Sequence, residues 1–441
     1  MRRGAALALV TVIALCLALP AQGGVRRHKL SCGATLLTMP ADWNRIVAVT
    51  AVVDAGSLRD PEKLPGLANL TRAMLLQGTT TRTAPELAEL VDAAGLTIGT
   101  DMSVDNAIVY VTAIDSELEL ALEVIADVLQ RPAFDESRLI EEQRAVYDAL
   151  AEEQDDPFTT PFEKVGEMLF GNHAMGRDPH GTTEGISRIT PAHLVDFHSR
   201  YYVGSRTVIS VVGNFDEDDV VDRLDDLMSD YPNELPPPPK PPIVRRDEAT
   251  SAKVFKDVDK SYLAMGFLAP PVDHPDFPAL EVMDAIVGLG RGSRLSRVLS
   301  EAGADVSDTH GAFCRCGQLN SAFVIYASTD DLENTLDLIE DQISSLRSES
   351  VSDEELATAK NRLIGRHEIQ GQTNLVRAVR LASYELAGLG FDFVDTFLTA
   401  VNRVDKDDIL RVASEWLEKP ATVVVRPGET APRRGPKRAG I

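Results

Sequence analysis

Few residues in this chain of 441 stand at spacings that do chemistry. Four histidines, His173, His180, His193 and His198, fall in one stretch, separated by 7, 13 and 5 positions. Two histidines sharing a metal from one helix must lie at i and i+4, and no pair here does. They read as surface or core side chains. Cys314 and Cys316, one residue apart, are too few for a zinc site by themselves. The run GLGRGSR, residues 288–294, lacks the strand–loop–helix spacing of a phosphate cradle and reads as a turn at a helix end. There is no Gly-x-Ser-x-Gly elbow and no convincing Ser/His/Asp or Cys/His arrangement. What remains is GLANLTRAMLLQGT, residues 66–79, an amphipathic helix with no reactive group at a useful position.

The elements around that helix alternate strand and helix. RIVAVTAVVDAG and NAIVYVTAI predict strands, and TAPELAELVDAAG predicts a helix with Thr83 and Glu86 at capping-box spacing and Gly95 past its end. SELELALEVIADVLQRP predicts a helix halted by Pro132, DESRLIEEQRAVYDALAEEQ a longer one, and RTVISVVGNF a closing strand. The prolines of YPNELPPPPKPPIVRRDEAT cannot join a sheet or a helix interior, so 231–250 is expected to be an extended linker. It separates halves at 24–230 and 251–426. The halves resemble each other: Ile189, Leu194, Phe197, Tyr201 and Tyr202 match Val404, Ile409, Val412, Trp416 and Leu417 in apolar pattern, and a Val-rich strand follows each copy. The implied fold class is α+β, a duplicated α/β unit with a cleft between the copies. Residues 427–441, rich in Pro, Gly and Arg, read as a disordered basic tail.

Apolar residues make up 44% of the chain and charged residues 25%, the mix of a globular protein. Residues 1–23 stand apart, with Arg2 and Arg3, an apolar run and a small-residue site, the pattern of a cleaved signal peptide. Its removal takes the formal charge from −24 to −26, which excludes nucleic acid as a partner. No later run approaches the roughly 18 apolar residues of a membrane helix, so a periplasmic or secreted location is expected. Cys32, Cys314 and Cys316 remain, an odd number that makes no disulfide framework.

At residues 66–79 the chain resembles the insulinase/pitrilysin family of zinc metallopeptidases, and the resemblance runs nearly end to end. The family sets an inverted motif, His-x-x-Glu-His, in the frame Gly-Leu-Ala-His-Leu-Leu-Glu-His-Met-Leu-Phe-Lys-Gly-Thr. Its two histidines bind zinc, its glutamate polarises the metal-bound water, and a glutamate roughly 76 residues further on completes the site. Gly66, Leu67, Ala68, Met74, Leu75, Gly78 and Thr79 keep the frame. The histidine positions are Asn69 and Ala73, the general base is Arg72, and the third ligand falls at Ala149. Glu142, a supporting acid, survives. His173, Gly176, Arg177, Gly181 and Thr182 also match the family pattern. In the second half an Arg–Tyr pair that binds the scissile carbonyl is expected to be lost, with no Arg near Ala302 and Gly303 and Val306 at the Tyr position.

The resemblance implies half of a clamshell, built of mainly antiparallel sheets with flanking helices. It implies no bound zinc and no catalytic residue. In related non-catalytic subunits a glycine-rich loop captures substrate, which gives Gly288, Gly290 and Gly292 a candidate peptide-binding role. The expected function is a non-catalytic subunit of a zinc-metallopeptidase complex, with a zinc-motif homologue or a second copy as partner. The alternatives are a scaffold of the same fold without proteolysis and, less favoured, a self-sufficient metalloendopeptidase.

Overall fold

The computed structural model describes residues 24–171, 173–233, 244–302 and 319–428, together with the backbone of 305–314. Residues 1–23, where a signal peptide is expected, the centre of the proline-rich linker, Gly303, the Val306 side chain, Cys316 and the tail from 429 lie outside the described residues.

The first half builds a sheet of six strands: β1 (Arg26–Lys29), β2 (Thr35–Pro40), β3 (Ile46–Val53), β4 (Thr97–Met102), β5 (Ala107–Ile114) and β6 (Thr207–Gly213). Their spatial order is β1-β2-β6-β3-β5-β4, antiparallel except for the β2–β6 pair. Eight α-helices belong to this half: α1 (Leu67–Met74), α2 (Ala84–Ala93), α3 (Leu118–Gln130), α4 (Glu136–Asp155), α5 (Thr159–Phe170), α6 (Thr183–Arg188), α7 (Pro191–Tyr201) and α8 (Glu217–Leu227). The capping box expected at Thr83 and Glu86 is present on α2.

The second half repeats the plan with β7 (Thr250–Lys256), β8 (Ser261–Ala269), β9 (Asp305–Cys314), β10 (Ser321–Thr329) and β11 (Ala421–Pro427), ordered β7-β11-β8-β10-β9. Here the first strand, β7, pairs in parallel with the last, as β2 does with β6 in the first half. Its helices are α9 (Phe277–Val287), α10 (Arg294–Glu301), α11 (Leu332–Ser348), α12 (Asp353–Gln370), α13 (Asn374–Leu386), α14 (Phe393–Arg403) and α15 (Lys406–Trp416). The matched helices are α7 and α15, each leading to a sheet strand, and Leu194, Phe197, Ile409 and Val412 are buried as the pattern requires. The linker is shorter than its composition suggests. Tyr231 is buried in the first core with its hydroxyl 3.2 Å from that of Thr207, and Thr250 already opens β7.

The duplication conceals an exchange. β3 reads IVAVTAVV and is buried along nearly its whole length, as a strand covered on both faces must be. Val47, Val49, Ala51 and Val53 face the first half's own core. Ala48 and Val52, with Val208 and Val212 of β6, instead meet Ala378, Leu381 and Ala382 of α13, a helix of the second half. Reciprocally, Val165 and Leu169 of α5 cover Ala264 and Val423 of the second sheet. Gly266 makes this contact possible, because a Cβ there would stand 2.4 Å from Val165 Cγ1 and 2.9 Å from Leu169 Cδ1. Gly266→Val is expected to lift α5 and cost about 1–3 kcal/mol of folding stability by overpacking. Denaturant titration reads this, and an unchanged midpoint would refute the contact's role.

Candidate functional site

Helix α1 is set by backbone contact at its N-terminus. Gly66 adopts φ 95° and lies so close to Gly181 that a Cβ on Gly181 would stand 2.6 Å from the Gly66 Cα. These are two of the glycines that follow the family pattern. The buried Asp60 carboxylate accepts from the Gly66 and Ala68 amides, each at 2.7 Å, so it satisfies donors that a helix start leaves open. Burial pushes the Asp60 carboxyl up to about 7, while the two amides and the nearby Arg177 pull the other way. Leu67, Leu70 and Met74 are buried; of the positions that the resemblance assigns to the zinc motif, Asn69 is buried as well and Arg72 and Ala73 are partly so.

At those positions the side chains are tied to each other. Arg72 Nη2 donates to Asn69 Oδ1 at 2.7 Å, and Arg72 Nη1 donates to Thr100 Oγ1 of β4 at 2.9 Å. Asn69 Nδ2 donates to the His180 carbonyl at 3.3 Å, so both ends of the buried amide are committed. Burial lowers the Arg72 pKa, against which Tyr202, Asp101 and Glu142 support the cation. Glu142 of α4 accepts from Gln77 Nε2 at 2.6 Å. Burial raises its carboxyl and the Arg72 charge counters the rise. Ala73 is partly buried, and Ala149 lies exposed on α4.

This donor set does not fit zinc. Two of the four positions are methyl groups, the third is an amide already spent, and the fourth is a cation. A guanidinium about 4 Å from a divalent ion would oppose it by about 8 kcal/mol at an effective dielectric of about 20. No imidazole stands on α1 to offset that.

The glycine-rich run joins α9 to α10, as read from sequence. Gly288 is buried, whereas Gly290, at φ 81°, and Gly292 are exposed. Arg362 of α12 crosses the loop and donates to the Leu289 carbonyl. Gly292, Arg297, Ser352, Glu354 and Arg362 border an open hollow of about 320 Å³. The histidines do not converge. His173 Nδ1 accepts from the Met175 amide, and His193 Nδ1 accepts from the Thr190 amide. His198 Nε2 donates to the Leu129 carbonyl at 2.8 Å. His180 is a surface residue, as read from sequence, and Glu153 and Asp178 stand beside it. Asp178 is two residues away in the same turn and Glu153 comes from α4, so the spacing between histidines carried no sign of either.

Known proteins agree with this architecture. Residues 37–183 match the profile described as "Insulinase (Peptidase family M16)", and residues 188–363 match "Peptidase M16 inactive domain". The chain belongs to the insulinase family of peptidases. A Rickettsia felis protein named as an uncharacterized zinc protease is 24% identical over 88% of this chain and 93% of its own length. Bacillus subtilis YmxG, of the same designation, is 23% identical over 92% and 100%. Among solved structures, a peptidase M16 inactive domain from Pseudomonas fluorescens superposes with a TM-score of 0.85, 21% identity, and coverage of 92% of this chain and 98% of that one. A Helicobacter pylori protease gives 0.86, 19%, 92% and 100%. These structures share the fold. No helix among the described residues is long and apolar enough to cross a membrane.

Proposed function

We propose that this chain is a non-catalytic subunit of an extracytoplasmic zinc-peptidase complex, in which it holds peptide or unfolded protein and stabilises a homologous partner that carries the zinc motif. Arg72 carries the reading. Its guanidinium takes the general-base position and bonds Asn69, a former ligand position, to Thr100, which gives the helix a structural network in place of a catalytic one. The preserved frame of α1, with its close glycine contact and its Asp60 cap, supports a part kept for shape. The loop bearing Gly288, Gly290 and Gly292 supports peptide capture, because its backbone is exposed at Gly290 and Gly292 and the neighbouring Arg297 and Arg362 offer donors to peptide carbonyls and carboxylates. The leader-like residues 1–23 support a place outside the cytoplasm.

The test is co-expression with a zinc-motif homologue from the same genome. The two chains are expected to co-purify, and peptidase activity is expected to fall when this chain is omitted. A homodimer that leaves the homologue's activity unchanged would instead favour a scaffold. Chelator-sensitive cleavage by this chain alone would refute the proposal.

A further inference from the structure

Beside the vacated zinc position, three metal-competent side chains from two separate segments come together: Glu153 of α4, and Asp178 and His180 of the loop before α6. One donor atom of each lies within 4.8 Å of the other two. His180 Nδ1 stands 2.9 Å from Glu153 Oε1 and 3.5 Å from Asp178 Oδ1.

The backbone holds this trio. Asp178 Oδ1 accepts from the His180 amide at 2.8 Å, which fixes the two loop ligands in one turn. The His180 carbonyl accepts from Asn69, and Gly181 is pressed against Gly66, so the turn is pinned to the start of α1. Glu153 sits one helical turn beyond Ala149, and its own carbonyl accepts from Thr159 Oγ1 at 2.5 Å. His180 is exposed and the two acids partly so, which lets an ion enter without opening the fold.

We propose that Glu153, Asp178 and His180 form a site for a late first-row divalent ion, zinc foremost, with water completing its coordination. Bonds of about 2.0–2.2 Å in a tetrahedral arrangement place ligand atoms roughly 3.3–3.5 Å apart. The two separations from His180, 2.9 and 3.5 Å, meet that within a few tenths of an ångström, and the two carboxylates lie within 4.8 Å of each other, a gap that the partly exposed Glu153 side chain can close. Two carboxylates balance the ion's charge, and the imidazole selects against calcium and magnesium, which favour all-oxygen sites. On binding, the metal takes the Nδ1 lone pair, and the proton that Nδ1 directs at Glu153 is passed through solvent to Nε2, so the ring stays a neutral ligand.

The experiment is calorimetric titration of zinc chloride into the full chain, free of any histidine tag and with its thiols alkylated. The expected result is one saturable equivalent of zinc. His180→Ala, and separately Asp178→Asn, should each weaken it by about tenfold or more. Asp178→Asn keeps the acceptor for the His180 amide, and Glu153→Gln alters only a partly exposed position, so at least these two variants should fold. A metal-free circular dichroism melt checks this. Absence of saturable zinc, or affinity unchanged in all three variants, would overturn the proposal.

Discussion

Asn69→His, Arg72→Glu, Ala73→His and Ala149→Glu, introduced together, are expected to create a chain that binds one additional equivalent of zinc and melts higher in its presence. The frame for such a site is already built. Asp60 and the Gly66–Gly181 contact fix the start of α1, and the Gln77–Glu142 bond ties α1 to α4, the helix that bears Ala149. Free zinc at about a thousand times its dissociation constant would add about 4 kcal/mol of stability. The triple variant that retains Arg72 should bind no tight zinc at this position, because the opposing cation exceeds that gain. Performing the work in a His180→Ala background keeps the exposed trio out of the count. Equal zinc affinity with and without Arg72 would sink the argument that the guanidinium, as well as the missing donors, excludes the metal. Without zinc, Arg72→Glu alone would place a second acid beside the half-buried Glu142 and destabilise the fold by about 3–5 kcal/mol.

A second large effect concerns His198. Its ring stacks on Tyr202 and meets the edge of Phe134, and Nε2 caps the Leu129 carbonyl in the last turn of α3. A carbonyl only accepts, so Nε2 carries a proton, and burial keeps the other nitrogen bare. Burial lowers its pKa to about 4 from an ordinary 6.5. The unfolded chain therefore takes up a proton that the folded one refuses. The contribution of His198 to stability is complete above pH 6.5 and disappears as the pH falls toward 4, a loss of about 3 kcal/mol. Asp60 works in the opposite sense. With its folded pKa raised to about 7, its contribution is present at low pH and is lost as the pH rises through 7. Total stability mixes the two, so the test is the difference between wild type and His198→Phe from pH 7 to pH 4.5. The variant should be less stable at pH 7, where it leaves the Leu129 carbonyl without its donor, and the gap should close on acidification. A gap independent of pH would refute a neutral buried imidazole.

Much of the site was legible because it was written locally. The seven retained frame residues sufficed to set Asn69, Arg72 and Ala73 on one helix, α1, and a count along the chain to set Ala149 on α4. The strands and helices around them followed from period and caps. The surroundings of Arg72 were not legible, since its partners lie at Thr100 and Glu142, on a strand and a helix that only the fold brings to α1. The group at Glu153, Asp178 and His180 escaped for the same reason, as its members obey no single-helix spacing. The proline-rich linker invited a clean division into halves. The apolar runs of β3 and β6 argued otherwise: a strand apolar on both faces needs two covers, and the first half supplies only one.

The seating of α13 bears on the order in which this chain acquires structure. Trp43 Nε1 donates to Asn374 Oδ1 across 331 residues, and the Asn374 amide donates in turn to the Ile46 carbonyl. Nothing before residue 374 can make these bonds, so the outer face of the first sheet stays bare until most of the chain has been synthesised. Closing so long a loop is entropically costly and slow, and the waiting apolar face is open to self-association in the meantime. The nascent first half is therefore a client for anything that shields apolar strands. A protein that looks like two repeats on a string cannot complete its first sheet's cover until the second repeat supplies α13.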